Sequence, residues 1–274
     1  MRILHVSDLH FGLPYLPHVG ESLLETAPRL APDLIVVSGD LTQRAKPEQF
    51  EQAATFIAQL PDVPRVVIPG NHDVPLYRVV ERLTEPHRWY KKYISEKLNT
   101  VVRTKDAIVI GLDSTAPRSA ISNGRIHNSK LKFCMDALQD APEQLARIVV
   151  AHHHFAPAPD YLRDQTMPKA KRAIELFARL RVELILGGHL HRAFIGNTLD
   201  FYPAAGRTHG IVIVQCGTTT SRRGRGRERE KNSFNVIDIS DHTLTIDHHI
   251  FDEKLGGFSA LSRHIFARHG GRLT

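Results

Sequence analysis

Arg2-Ile3-Leu4-His5-Val6-Ser7-Asp8-Leu9-His10 opens the chain with a short aliphatic run that ends in a carboxylate and an imidazole two residues apart. The run is too short for a helix and reads as a buried strand over residues 3–6, so the polar pair arrives where the strand stops. The same grammar recurs. An aliphatic run over 34–37 leads to Ser38-Gly39-Asp40, and one over 65–68 to Gly70-Asn71-His72-Asp73. Further on, 147–151 runs into His152, and 182–186 into Gly188-His189-Leu190-His191.

Helical patterns separate the first three runs, over 19–30 (Val19, Leu23, Leu24, Ala27, Leu30) and over 47–60 (Phe50, Ala53, Ala54, Ile57, Leu60). Strand–helix–strand–helix–strand implies parallel strands with right-handed crossovers, whose C-terminal ends share one edge. Ligands of open α/β sheets gather at such an edge. Strands at 101–103 and 107–112, a helix at 128–140 and a helix at 169–180 continue the pattern. Runs at 211–215, 233–239 and 243–250 are spaced as an antiparallel meander. One domain over 1–255 is expected, with 74–100 as a cap insertion and 256–274 as a tail carrying a short helix at 261–268.

Composition narrows the class. The 274 residues are 42% hydrophobic, enough for a substantial core, and the formal net charge of +7 favours anionic partners without choosing among them. Seventeen histidines prompt a search for metal sites, whereas the two cysteines, Cys134 and Cys216, lack any CxxC pairing and read as buried thiols of a reducing compartment. No window approaches a transmembrane span, so a cytoplasmic protein is expected.

Five strand ends that bring two carboxylates, an amide and four histidines to one edge have the makings of a two-metal site. On an extended strand end, Asp8 and His10 would point the same way, as would His189 and His191. Asp40 is the natural bridging ligand, since a carboxylate can offer one oxygen to each of two cations. One metal would take Asp8, His10, Asp40 and His191, and the other Asp40, Asn71, His152 and His189. Within His152-His153-His154 the ligand is His152, which directly ends the strand, or else His153. Cations roughly 3.5–4 Å apart would hold a bridging hydroxide that attacks phosphorus. His72 would stabilise the phosphate or protonate the leaving oxygen, with Asp73 orienting its ring. Taken singly, each residue has a plainer role as cap, turn or core group; seven such placements on one edge do not.

These motifs (Asp-x-His, Gly-Asp, Gly-Asn-His-Asp, a lone His and Gly-His-x-His) resemble those of the calcineurin-like metallophosphoesterase superfamily, over Asp8 to His191. The resemblance implies a four-layer αββα sandwich with a dinuclear centre on one edge. Ser7 to Gly12, Ser38 to Thr42, Pro69 to Pro75 and the His152 triplet are most similar to bacterial class III cyclic-nucleotide phosphodiesterase-type members. The ligand set suits Mn2+ or iron first, and Zn2+ as well.

The expected reaction is hydrolysis of a small phosphodiester, a cyclic nucleotide or related compound. The alternatives are a pyrophosphohydrolase of a UDP-linked lipid precursor, a nuclease, and a scaffold without catalysis. A scaffold should have lost ligands that this chain keeps. In the cap, Trp89 and Arg88 could contact substrate, as could Asn123 and Arg125 further on. The arginine-rich stretch 221–231 reads as a mobile, solvated loop rather than a nucleic-acid surface, because Glu228 and Glu230 dilute its charge.

Overall fold

Short runs of Val, Ile and Leu without polar alternation are what strands buried on both faces look like, and the structure is built from them. The computed structural model describes residues 1–119, 123–157, 165–203, 210–269 and 272–273. In chain order these hold β1 (Arg2–Val6), α1 (Pro17–Leu30), β2 (Leu34–Val37), α2 (Pro47–Gln59), β3 (Arg65–Val67), α3 (Val79–Thr84), α4 (Arg88–Tyr93), β4 (Thr100–Arg103) and β5 (Ala107–Leu112). There follow α5 (Asn128–Leu138), β6 (Ala146–Ala151), α6 (Ala170–Arg179), β7 (Leu184–Gly187), β8 (Phe194–Asn197), α7 (Thr198–Phe201), β9 (Val212–Gln215), β10 (Ser233–Ile239), β11 (Thr243–Asp252), β12 (Gly257–His269) and β13 (Arg272–Leu273). Proline at the start of both α1 and α2 presets φ where the helix has no N–H to satisfy.

The strands form two sheets, β13-β12-β11-β10-β1-β2-β3 and β4-β5-β6-β7-β9-β8. β1, β2 and β3 are parallel, as are β5, β6, β7 and β9. Successive residues face opposite sides, and each side is filled. Ile3, Leu34, Val36 and Val66 meet Val109, Ile148, Leu184 and Val214 of the other sheet in a shared core. Leu4, Ile35 and Val37 face outward onto Leu23, Ala27, Phe50 and Ile57 of α1 and α2. On the far side Ile110, Val149 and Ile185 pack against Leu131, Cys134, Ile174 and Phe177 of α5 and α6. The result is the expected helix–sheet–sheet–helix sandwich.

Two expectations fail. The run at 211–215 does not join a meander; β9 lies in the second sheet, parallel to β7, while β10 and β11 pair antiparallel in the first. The stretch 256–274 is not a tail with a helix. Leu261 and Ile265 are spaced like one helical face, but the open edge of β11 offers a ladder of unpaired backbone groups. The 13 residues of β12 take it, register Thr243↔Ala267 to Asp252↔Gly257. No helix among the described residues is long and apolar enough to cross a membrane.

Candidate metal centre

β1, β2 and β3 lead into turns that carry Asp8, Asp40 and Asn71, and β6 and β7 lead into His152 and His189, all along one edge of the sandwich. The side chains converge by a route that strand geometry does not supply. Asp8, His10, Asp40, His189 and His191 all have left-handed backbones, with φ of +53°, +51°, +51°, +74° and +54°. The two-apart pairs therefore share a direction through tight turns, not through an extended strand end. Each such conformation costs about 1–3 kcal/mol and persists only where surrounding structure enforces it. Gly39 makes one turn possible: its φ is +100°, and a Cβ there would strike the ring of His152.

Asp8, His10, Asp40 and His191 form one group of converging ligand atoms, and His152, His153 and His189 form another. In the first, His10 Nε2 and His191 Nε2 are 3.1 Å apart, and Asp8 Oδ1 is 3.1 Å from His191 Nε2. In the second, Asn71 Oδ1 lies 2.9 Å from His189 Nδ1 and 3.2 Å from His152 Nε2. Asp40 Oδ2 sits between the groups, 3.7 Å from His10 Nε2 and 3.3 Å from His152 Nε2. Asp8 Oδ1 and Asp40 Oδ2 are buried without a hydrogen-bond partner. Their second oxygens are occupied, Asp8 Oδ2 by Ser7 Oγ and the His189 amide, Asp40 Oδ1 by the His72 amide.

The histidine tautomers follow from their outer partners. His152 Nδ1 donates to the Ser38 carbonyl at 2.8 Å, and His191 Nδ1 to the Arg223 carbonyl at 3.0 Å. Both rings thus turn an Nε2 lone pair inward. Inward lone pairs beside two orphaned carboxylate oxygens would repel one another, and divalent cations resolve the conflict. The residues fit metal ions on chemistry as well as on count. Burial works against charge on Asp8 and Asp40, yet the adjacent histidines hold both carboxyls well below the usual range. Burial pushes His10 down to about 4, whereas Asp40 overcomes burial and lifts His152 to about 9, so its Nε2 lone pair would become available only as a cation displaced the proton there.

His72 stands beside both groups, its ring edge-on to His10 at 4.8 Å. Its Nδ1 donates to the Gln43 carbonyl at 2.9 Å, which leaves Nε2 for the site. Burial lowers its pKa, opposed by the Asp40 charge. Asp73 does not orient this ring, contrary to expectation. Its carboxylate caps the backbone amides of Gly70, Leu41 and Thr42 at 2.8, 3.1 and 2.9 Å, tying the β3 turn to the β2 turn. The Thr42 hydroxyl donates to Oδ1 as well, at 3.0 Å, so four donors fill the carboxylate's lone pairs and none is left for an imidazole. Burial and the Asp40 charge raise its pKa to about 7.

The profile of the calcineurin-like phosphoesterases matches residues 1–193. The chain belongs to that family. It is 25% identical over 186 residues to a "Probable glycerophosphodiester phosphodiesterase GpdQ" of Arcobacter nitrofigilis, covering 66% of each chain. It is 27% identical over 212 residues to a "Probable cyclic nucleotide phosphodiesterase" of Synechococcus, covering 71% of this chain and 75% of the relative. To the 3′,5′-cyclic adenosine monophosphate phosphodiesterase CpdA of Escherichia coli it is 25% identical over 206 residues, 70% of each. Among solved structures, a purple acid phosphatase from yellow lupin superposes with a TM-score of 0.75 at 13% identity, over 98% of this chain and 54% of that one. PhoD superposes at 0.74 and 12% identity, over 100% and 71%. These structural likenesses establish the fold.

In this calcineurin-like phosphoesterase a cavity of about 260 Å³ opens beside the ligand groups, lined by His72, Asn71, Gln43, Arg44, Leu76, Arg82 and Pro117 among others. The substrate contacts expected from sequence lie elsewhere. Trp89 packs with Tyr93 onto the α1–α2 core, its indole needed there as apolar surface, and Arg88 stacks over it at 4.8 Å. Asn123 Nδ2 donates to the Gln165 carbonyl, and Arg125 is exposed, only its amide bonding Ser114. The segment 74–99 reaches the cavity instead through Leu76 and Arg82, whose guanidinium donates to the Pro117 and Ser119 carbonyls.

After β9 the chain is tied to the strand-end turns before the arginine-rich stretch begins, and Arg222, Arg225 and Arg229 of that stretch are exposed as expected. Thr218 Oγ1 and Thr220 Oγ1 donate to the carbonyls of Asp8 and Leu9, and the Thr219 amide to that of Ser7. These buried hydroxyls clamp the strained 7–10 turn. The Arg225 amide bonds the His191 carbonyl, and Glu228 is buried against Ser233 and the Ala193 amide. The signal that could have found this was Gly217-Thr218-Thr219-Thr220-Ser221, four hydroxyls following a strand whose neighbour carries two ligands.

Proposed function

We propose that this protein is a metal-dependent phosphodiesterase that hydrolyses a small phosphodiester, a cyclic nucleotide or a related compound. The observation that carries it is Asp40 Oδ2, buried and unpartnered between two ligand groups, with His72 held on the other oxygen of the same carboxylate at the mouth of a cavity. One cation would be held by Asp8, His10, Asp40 and His191, the other by Asp40, Asn71, His152 and His189. His152 is preferred to His153 because its Nε2 lies 3.3 Å from Asp40 Oδ2, the oxygen between the two groups. Divalent cations held there supply Lewis acidity toward a phosphoryl oxygen and an acidified water.

The chain's own groups do the rest. Gln43 keeps the Nδ1 proton of His72 on its carbonyl, so any proton exchanged with substrate travels through Nε2. A phosphodiester anion beside that atom favours the protonated ring against the burial that disfavours it, and the leaving oxygen takes the proton. Asp73 keeps the His72 turn seated on the Asp40 turn. Asp, Asn and His without thiolate support Mn2+ or iron, and Zn2+ as well. Cys134 and Cys216, both buried and free, support a cytoplasmic location. Exposed apolar Leu76, Val79, Val80 and Leu83 beside the cavity support a second reading, a pyrophosphohydrolase of a UDP-linked lipid precursor.

The test is hydrolysis of a panel in Mn2+: bis(p-nitrophenyl) phosphate, p-nitrophenyl phosphate, 3′,5′-cyclic AMP, a UDP-linked lipid precursor and single-stranded DNA. Diester turnover with cyclic AMP cleavage supports the first reading. Preference for the lipid precursor moves the protein to the second, and no turnover by metal-loaded protein defeats both.

A further inference from the structure

Arg223 lies in the stretch that sequence assigned to solvent, yet it is half-buried at the metal centre. Its peptide carbonyl accepts from His191 Nδ1, and its Nη1 donates to Gln43 Oε1 at 2.8 Å. Gln43 thereby holds two groups at once, His72 through its backbone carbonyl and Arg223 through its side-chain amide. The contacts with Gln43 and His191 hold Arg223 near the ligand groups, and its charge is felt by Asp40, Asp8 and His72. Among the described residues no carboxylate comes within ion-pair distance of it, and its remaining N–H groups have no protein partner. A half-buried cation whose one partner is a neutral amide is oriented without being neutralised. Gln43, which holds the guanidinium, and His72, which shares Gln43 with it, both line the cavity beside the ligand groups.

We propose that Arg223 is a phosphoryl-binding residue: its guanidinium, aimed by Gln43, donates to a non-bridging phosphate oxygen beside His72. The inference rests on the phosphodiesterase reading and adds a substrate contact to it. Gln43 is suited to the task because an amide oxygen fixes the fork geometry that matches a phosphate. A carboxylate at the same position would consume the charge. Because the His191 contact uses the peptide carbonyl, substitution of the side chain leaves that support in place.

The experiment compares wild type, Arg223→Met, Arg223→Lys and Gln43→Glu as full-length, Mn2+-loaded proteins. Arg222→Met, whose side chain is exposed, serves as control. Inorganic phosphate binding is measured by calorimetry, bis(p-nitrophenyl) phosphate turnover by KM and kcat, and bound metal by elemental analysis. Arg223→Met should weaken phosphate binding about tenfold and raise KM by a similar factor with metal content unchanged, the size of one charge-assisted contact. Arg223→Lys should recover part of the loss, and Gln43→Glu should reproduce part of it. Phosphate affinity within about twofold of wild type in Arg223→Met would overturn the proposal. So would loss of metal in that variant, which would make Arg223 a support for His191. If wild type binds metal but cleaves no diester, the activity assignment falls, and the phosphate titration still decides Arg223.

Discussion

The strand-end turns and the 74–99 segment face each other across one cavity, and they are built on opposite terms. At the turns, Asp8, His10, Asp40 and His152 are 0% exposed, five ligand candidates hold left-handed backbones, and carboxylate oxygens lie buried without partners. Across the cavity, Leu76 and Tyr77 before α3 and Val80 and Leu83 within it stand 48–77% exposed. That segment is moored by Tyr90, buried with its hydroxyl on the Val67 carbonyl, and by Arg82. Strain and orphaned charge are tolerated where chemistry needs them, while the facing wall carries contacts that can vary without disturbing the turns.

Removing the Asp40 side chain should break this contrast outright, since both ligand groups use it. Asp40→Ala should lower turnover of bis(p-nitrophenyl) phosphate about 10³-fold or more, with a fall in bound metal by elemental analysis. Full activity would show that the groups are not joined through Asp40. His72→Ala should cost about 10²–10⁴ in kcat while metal content holds, with the loss greatest on esters with poor leaving groups. An equal loss on every leaving group would remove its role as acid.

The end of β5 sharpens the comparison, because Asp113 occupies a strand end like Asp8 and Asp40 yet holds no metal candidate. Its carboxylate takes Lys130 Nζ at 2.7 Å and the Thr115 hydroxyl at 2.6 Å, with His87 of the 74–99 segment bonded to Thr115. Burial opposes its charge, but Lys130 and His87 prevail and hold the carboxyl below its ordinary pKa. Asp113→Asn should destabilise the fold by about 2–4 kcal/mol by leaving Lys130 unpaired. A carboxyl that ionises more readily when folded stabilises fully above its unfolded pKa and loses that contribution as pH falls through the folded one. The Tm gap between wild type and variant should therefore hold steady near neutral pH and shrink as pH falls below about 4, the ordinary pKa of an unfolded aspartate. A constant gap would mean that the ion pair contributes nothing. The smallest effect belongs to the exposed wall: Leu76→Ala should change kcat/KM among diesters by about threefold with metal content unchanged. A loss on the scale of His72→Ala would place Leu76 among the groups that act on the reacting centre.

Ligand identity was legible because the strands preceding the ligands are buried on both faces. Unbroken Val, Ile and Leu ahead of Asp8, Asp40, Asn71, His152 and His189 fixes where each strand stops, and parallel crossovers oblige those stops to share an edge. Trp89 and Arg88 misled because aromatic and basic residues look alike whether they face a ligand or cover a core. Asp73 misled because nearness in sequence to His72 says nothing about which amides surround its carboxylate.

Residues within a few positions of one another thus determined the strand ends, the donor types and the metal chemistry they suit. What the tertiary structure decided depends on contacts across 30 to 210 residues. The left-handed turns at Asp8 and His10 are held by Thr218 and Thr220, and the inward lone pair of His191 by the Arg223 carbonyl. The change of sheet at β9 was settled by pairing with a strand distant in sequence, whereas β12 docks on β11 as a hairpin, Asp252↔Gly257 to Thr243↔Ala267. Left-handed backbone in Asp and His is locally unfavourable, and a helical spacing in β12 is locally acceptable. Each outcome was set by hydrogen-bonding groups that only the folded chain brings into reach.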